Sequence, residues 1–281
     1  MFNTVSIIGI GLIGSSIARA LKKHNLCNEI IIYDKNVDNL VKASQLGLGS
    51  VTCNINVAKQ SDIIIICVPV GAYEEIFNKI LPISKNTIVT DVGSVKGSII
   101  KLLEKFPSFE FVPGHPIAGT EFSGPEAGFA ELFENRWTIL NPSFATQKSI
   151  DKIAKMWGTF NSKVEIMDID HHDSILSLTS HLPHLIAFSV VGTAMNFDLN
   201  EISKFSAGGF RDFTRIAASD PTMWKDIFLH NKNTLLETSK KFKEILTMLE
   251  QHIENNNAET LIEFFTKTKE IRHNIIEAKQ S

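Results

Sequence analysis

A short run rich in β-branched residues, Val5-Ser6-Ile7-Ile8, breaks at Gly9-Ile10-Gly11-Leu12-Ile13-Gly14. The helical spacing of Ile17, Ala18 and Leu21 follows at once. This strand–glycine–helix order constrains the fold more than any other feature of the chain. A lone G-x-G-x-x-G is weak, but here Asp34 follows about twenty residues on, at the end of a second apolar run, Glu29 to Tyr33. In that context Gly9 permits a tight turn, and Gly11 lets the backbone approach a pyrophosphate. Gly14 lets the helix pack closely on the sheet. The turn residues Leu12 and Ile13 belong to the same cofactor-binding loop, and the helix start supplies N–H donors and positive dipole. Asp34 is expected to accept hydrogen bonds from the adenosine ribose, and its charge would repel a 2′-phosphate. The neighbouring cation Lys35 works against that exclusion. NAD is favoured over NADP. The plainer reading, glycines serving only a strand–helix turn, stands beside it.

Further apolar runs keep the alternation going. Ile63 to Val68 reads as a strand buried on both faces. Thr87 to Thr90, Phe109 to Val112 and Trp137 to Leu140 read as three more strands, the last a sixth member of the sheet. Strands separated by helical patterns predict an α/β fold, a Rossmann-type doubly wound parallel sheet. After about residue 165 the pattern changes to long helical periodicity: Ile175 to Asn196, punctuated by Pro183, then Met223 to His252, then Leu261 to Ala278. A C-terminal all-helical domain is expected, with the division at 1–165 and 166–281. In the second long segment Trp224, Ile227, Phe228, Leu235, Leu236, Phe242, Ile245 and Leu249 mark one side.

Composition narrows the class. A chain of 281 residues suits two domains, and 43% hydrophobic with 21% charged residues argues against global disorder. A net charge of −3 gives no footprint for nucleic acid. No run of about 18 to 20 uninterrupted apolar residues predicts a membrane span. Met1-Phe2-Asn3-Thr4 runs straight into the first strand, so no signal peptide is expected. The cysteines, Cys27, Cys53 and Cys67, lack C-x-x-C spacing, so neither a disulfide framework nor a metal site is expected. A soluble cytoplasmic protein is the default. Cys67-Val68-Pro69 is expected to pass beneath the cofactor, with Val68 in the wall. Cys67 has no nearby cation to activate it as a nucleophile.

Four segments carry a sharper signal: Asp91-Val92-Gly93-Ser94-Val95-Lys96, Gly114-His115-Pro116-Ile117-Ala118-Gly119-Thr120-Glu121, Ser180-His181-Leu182-Pro183-His184, and Gly208-Gly209-Phe210-Arg211-Asp212-Phe213-Thr214-Arg215-Ile216-Ala217. In this order they resemble the prephenate/arogenate dehydrogenase family of tyrosine biosynthesis, and its bacterial cyclohexadienyl dehydrogenase branch in particular. The resemblance covers essentially the whole chain.

It implies an NAD-dependent oxidative decarboxylation. Hydride leaves C4 of a cyclohexadienol, the C4 hydroxyl loses its proton, and CO2 departs from C1 as the ring becomes aromatic. By resemblance His115 accepts that proton, a task suited to a neutral imidazole, and Pro116 restricts its backbone. Ser94 matches a serine that orients the histidine and the nicotinamide, and it is also placed to cap a helix. Thr120 is a candidate to hold the imidazole in one tautomer. Glu121 either lines the same pocket or is a solvated loop carboxylate.

Arg215 is the expected carboxylate ligand, since guanidinium offers bidentate geometry, with Arg211 as rival and a structural salt bridge as the plainer role. His184 matches a substrate-binding histidine, and His181 on the same helix side competes for the place. His171 and His172, at the apparent domain junction, are expected to be solvated. Gly208 allows close backbone approach to the ring or to a partner subunit. The resemblance implies a homodimer. No chorismate mutase domain is expected ahead and no ACT-type domain behind, so any tyrosine feedback would act at the active site. Prephenate against arogenate stays open. So do two rivals: another two-domain hydroxyacid dehydrogenase, and an idle NAD-binding sensor.

Overall fold

The computed structural model describes residues 2–277. Six strands form a parallel sheet: β1 (Phe2–Ile8), β2 (Cys27–Tyr33), β3 (Ser50–Thr52), β4 (Ile63–Ile66), β5 (Ile88–Asp91) and β6 (Glu110–Val112), in the order β3-β2-β1-β4-β5-β6. The central strand β4 shows why the sheet is covered on both sides. Its four isoleucines are all fully buried. Ile63 and Ile65 point into one core, with Ile17 and Leu21 of α1 (Leu12–Lys23) and Leu40 of α2 (Val37–Gln45). Ile64 and Ile66 point into the other, with Tyr73 and Phe77 of α3 (Tyr73–Ile80) and Ile99 of α4 (Gly97–Leu103). Strand order reverses between β1 and β4, so a crevice opens beyond their C-terminal ends, at the glycine turn.

Four strands differ from expectation: Ser50–Thr52, Gly114–Pro116 and Lys163–Ile166 have no counterpart among the strands expected from the sequence, and Trp137–Leu140 is placed elsewhere. Ser50–Thr52 joins the sheet as a short, mostly exposed edge, too brief to carry an alternating pattern. Trp137–Leu140 is a strand but not the sixth of the parallel sheet. As β8 it lies in a separate three-stranded sheet, between β7 (Gly114–Pro116) and β9 (Lys163–Ile166). The cause is Pro113, which has no N–H for the ladder and ends β6. The Gly114 amide that follows donates to the Asp91 side chain, and β7 pairs antiparallel with β8, His115 opposite Ile139. Helix α5 (Gln147–Thr159) completes the first core with Ile153 and Trp157.

Beyond Ile166 the described residues contain helices and no strand. Helices α6 (Ile169–Leu176) and α7 (Leu182–Thr193) are joined by a π-helical turn, Ser177–His181, and Pro183 falls in the first turn of α7. The run Ile169–Asn196 is long and apolar enough to cross a membrane by length and composition. Its buried face, however, carries His172, Asp173, Ser177 and His181, hydrogen-bonded to neighbouring elements. The remaining helices are α8 (Leu199–Phe205), α9 (Gly208–Thr214), α10 (Pro221–His230), α11 (Lys232–Glu254) and α12 (Ala258–Glu277). The expected single helix over Met223–His252 is two. The break falls at Asn231, whose side chain leaves the helical line to donate to the Asp173 carbonyl at 2.9 Å. Ala278, the expected end of the last helix, lies outside the described residues.

Candidate active site

The glycine turn is shaped as its spacing suggests. Gly9 has φ +95°, and a Cβ there would sit 2.5 Å from the Cys67 carbonyl oxygen and 2.8 Å from Val68 Cγ1. A Cβ on Gly14 would fall onto the Gly9 carbonyl oxygen. Gly11 is different, because a Cβ there would meet nothing within 4 Å. That open side faces the start of α1, where no side chain caps the helix and no acidic residue occupies the first turn. The helix N–H donors are thus left for an anionic ligand. Asp34, just beyond β2, accepts the Ile10 N–H at 2.8 Å and the Asn36 N–H at 2.8 Å, which fixes its carboxylate beside the turn. These residues fit a dinucleotide. Burial, followed by the nearby Asp91 charge, pushes the Cys67 thiol far above its usual range, so it is inert as a nucleophile.

His115 is brought to the same end of the molecule by β7 and is 8% exposed. Its Nδ1 lies 2.9 Å from His172 Nε2, and His172 Nδ1 lies 2.8 Å from Asp173 Oδ1. Asp173 in turn accepts the Lys96 backbone N–H at 2.9 Å and the Gly97 N–H at 2.8 Å. Behind this line Asp91 is fully buried and saturated with donors. Its Oδ2 accepts from Lys96 Nζ (2.6 Å), Tyr73 OH (2.9 Å) and Gly93 N–H (2.9 Å), and its Oδ1 from Gly114 N–H (2.9 Å). One carboxylate therefore pins the loop after β5 to the strand that carries His115. Burial, then His172, Lys96 and His181, push His115 well below the ordinary histidine range. Near neutral pH it is uncharged and able to accept a proton.

The other sequence-predicted residues divide. Ser94 is half-buried on the loop before α4, and its hydroxyl has no partner among the described residues. It does not cap the helix, whose N-cap is Lys96. Arg215, just after α9, reaches Glu121, with Nη1 3.4 Å from Oε2, so these two predicted ligands meet although 94 positions separate them. His184 stacks on Trp224 with ring centroids 3.5 Å apart at 20°, and its Nδ1 donates to the Ser180 carbonyl at 2.9 Å. Burial, with Arg215 nearby, lowers its pKa despite that bond. His181 is fully buried, its Nδ1 3.2 Å from Asn231 Nδ2, and its Nε2 has no partner. Arg211 and Gly208 are exposed on α9.

Two expectations need correcting. Thr120 does not hold the imidazole: the chain has reached the surface by that point, and its Oγ1 accepts the Phe122 N–H at 3.3 Å. The partner of His115 is His172, which is buried rather than solvated; His171 alone is exposed. A local signal for this existed. Ile169, His172, Asp173 and Leu176 have the i, i+3, i+4, i+7 spacing of an inward helix face, and Asp168 caps that helix through the His171 N–H at 2.8 Å. Asp91 and Lys96 stand in the sequence only as the ends of one segment and Trp224 only as part of an apolar side; their individual roles at the site come from the structure.

Comparison with known proteins gives a consistent result. The prephenate dehydrogenase nucleotide-binding domain family matches residues 17–166, and the prephenate dehydrogenase dimerization domain family matches residues 168–267. The chain is 40% identical over 280 residues to a cyclohexadienyl dehydrogenase of Zymomonas mobilis, covering 97% of this chain and 96% of that one. It is 34% identical to a prephenate dehydrogenase of Bacillus subtilis, covering 97% of this chain and 76% of that one. Among solved structures, the prephenate dehydrogenase of A. aeolicus in complex with hydroxyphenyl propionate and NAD+ superposes with a TM-score of 0.92. The two share 36% identity over 98% of this chain and 99% of that one.

Proposed function

Since the chain belongs to the prephenate dehydrogenase family and is an NAD-dependent dehydrogenase, we infer that it oxidatively decarboxylates prephenate to 4-hydroxyphenylpyruvate, arogenate to tyrosine, or both, with His115 taking the 4-hydroxyl proton. The observation that carries this reading is a buried, neutral histidine whose Nδ1 is engaged by His172 and whose Nε2 has no partner among the described residues, at the end of the molecule that bears the dinucleotide turn.

Bound NAD+ supplies the hydride acceptor for C4 of the ring. Gly9, Gly11, Leu12, Ile13 and Gly14 would form the loop that receives the pyrophosphate, Gly14 by letting the helix pack closely; Asp34 would hold the adenosine ribose, and Val68 would line the wall of the cofactor site. His115 accepts the C4 hydroxyl proton as the C–O bond gains double-bond character. The C1–carboxylate bond then breaks with release of CO2, its electron pair enters the ring, and the C4=O π pair moves onto oxygen, which takes the proton back from His115 to give the phenol. Ser94, whose hydroxyl has no partner among the described residues, would orient His115 and the nicotinamide. Arg215 takes a substrate carboxylate in two parallel hydrogen bonds, for which its present 3.4 Å contact with Glu121 is readily exchanged. His184, held flat by Trp224, borders the same space. In this reading residues 1–165 bind the cofactor, and residues 166–281 bind substrate and form a homodimer that brings Gly208 towards the partner subunit.

The test is NADH formation by the purified protein, offering prephenate and arogenate separately, each with NAD+ and with NADP+. Turnover is expected with NAD+, and the ratio of kcat/KM values names the preferred substrate. His115→Asn should keep NAD+ affinity and lose about 10²- to 10⁴-fold in turnover. Full activity in that variant removes His115 from the chemistry. Silence in all four conditions, with NAD+ still bound, would overturn this reading in favour of an idle NAD-binding sensor or a dehydrogenase of another hydroxyacid.

A further inference from the structure

Three groups in a row, Asp173, His172 and His115, run from helix α6 into the site, and the polarity of their contacts follows from one end. Asp173 is the fixed point. It accepts backbone N–H groups from both Lys96 and Gly97, which can only donate. Burial opposes its ionisation, but the hydrogen bonds from His172, Lys96 and Gly97 prevail and hold the carboxyl below its usual range. An ionised carboxylate only accepts, so His172 Nδ1, 2.8 Å away, carries a proton. Burial, helped by the Lys96 charge, keeps His172 neutral in spite of Asp173. Its Nε2 is then a bare lone pair. That lone pair faces His115 Nδ1 at 2.9 Å, and two lone pairs do not sit at that distance. His115 Nδ1 must donate.

We propose that Asp173, acting through His172, fixes His115 in the tautomer protonated at Nδ1 and bare at Nε2, so that His172 and Asp173 are positioning residues for the base. The proposal rests on His115 being the proton acceptor. It adds what that assignment lacks, a reason why the open nitrogen is the basic one. An imidazole in water distributes its proton over both nitrogens; here the choice is imposed from the second half of the chain. The arrangement also gives the cationic His115 that forms on proton capture a continuous hydrogen bond toward a carboxylate. The charged and titratable groups around it are His172, Lys96 and His181, with Asp91 behind Lys96 and Asp173 behind His172.

Position 172 carries the sharp test, with Asp173 left intact. In His172→Gln an amide oxygen can take the place of Nε2 and accept from His115 Nδ1, whereas in His172→Phe nothing accepts there. Turnover is expected to fall by about 10²- to 10⁴-fold in His172→Phe, with KM and NAD+ affinity within about twofold, and far less in His172→Gln. Raising the pH should not restore His172→Phe, since a misplaced proton is not a missing one. Nitrogen-15 NMR of labelled histidine, assigned with His115→Asn, should show His115 protonated at Nδ1 in the native protein and without that preference in His172→Phe. Position 173 gives a second test. Asp173 Oδ1 takes both the Lys96 N–H and His172 Nδ1, and Oδ2 takes the Gly97 N–H. Asp173→Asn with its oxygen in the Oδ1 place keeps the acceptor for His172, so it should retain more turnover than Asp173→Leu, which leaves none. Native protonation at Nε2, or full turnover in both His172→Phe and Asp173→Leu, overturns the proposal. If His115→Asn itself stays active, the failure lies with the base assignment instead.

Discussion

Gly11 and Gly14 belong to one motif and answer to different constraints. Gly14 is a packing glycine, because a methyl there would collide with the Gly9 carbonyl. Gly11 has ordinary extended backbone, φ −74° and ψ −156°, and an added methyl would meet no atom of the protein. Gly14→Ala should therefore destabilise the fold by about 1–3 kcal/mol, the range for overpacking a tight site. Gly11→Ala should leave the Tm unchanged and weaken NAD+ binding at least about tenfold, since the methyl occupies the cofactor's place. Thermal unfolding and calorimetric titration with NAD+ separate the two, and a Gly11→Ala protein that binds NAD+ normally would refute the reading of the turn. This much was legible in the sequence, because each glycine's task is set by neighbours within a few residues. His172 was not. Its neighbours Asp168, Asp170 and His171 are polar, and its partner His115 is 57 positions away. Only the helical stripe it shares with Ile169 and Leu176 told against a solvated side chain. Arg215 and Glu121 were each named from the sequence, but their meeting depends on how α9 lies against the loop after β7, which no local pattern records.

At the scale of elements, strands and helices were largely readable, and their partners were not. Trp137–Leu140 has the composition of a strand, but composition does not say which sheet it joins, and Pro113 diverts β7 and β8 into a sheet of their own. The apolar side expected over Met223–His252 divides in the same way. Trp224, Ile227 and Leu235 are buried, whereas Leu236 and Ile245 are exposed. Leu235 is the single buried residue of α11, a helix of 23 residues. Exposed apolar residues continue with Leu246 and Ile253 of α11 and with Ile262, Phe265, Ile271 and Ile275 of α12. A helix this weakly packed gains little from its own backbone, and its stability normally comes from burying an apolar face. Each such leucine, isoleucine or phenylalanine stabilises by about 1.5–3 kcal/mol on full burial, so a second copy of the chain covering α11 and α12 is the occupant that suits them. Sedimentation should give twice the 31.3 kDa of the chain, and Ile253→Glu with Phe265→Glu should give the chain mass alone. A native monomer at assay concentration would exclude the dimer.

For the whole molecule, the site imposes a pH dependence on stability. His115, His172, His181 and His184 are all held below the ordinary histidine value, each by burial before any other cause. In the unfolded chain they titrate near 6.5. Below about that pH the unfolded state takes up protons that the folded state refuses, so stability falls as pH falls, until the lowered folded values are reached. For His181, lowered to about 4, the window runs from about pH 6.5 down to about pH 4 and the loss at pH 5 is on the order of 2 kcal/mol. Asp173 contributes in the same direction at lower pH, because its depressed carboxyl loses its advantage only as the solution falls through the ordinary carboxylate range. Urea unfolding at one fixed protein concentration should therefore show a lower midpoint at about pH 5 than at about pH 7, and His181→Asn should reduce the difference. Equal midpoints would mean that these histidines take up protons as readily in the folded state as in the unfolded one. At pH 5 His172 would then be an imidazolium, donating from both nitrogens and forcing the lone pair of His115 onto Nδ1. Acid sensitivity and a correctly placed base are thus two consequences of the same buried, uncharged line of side chains.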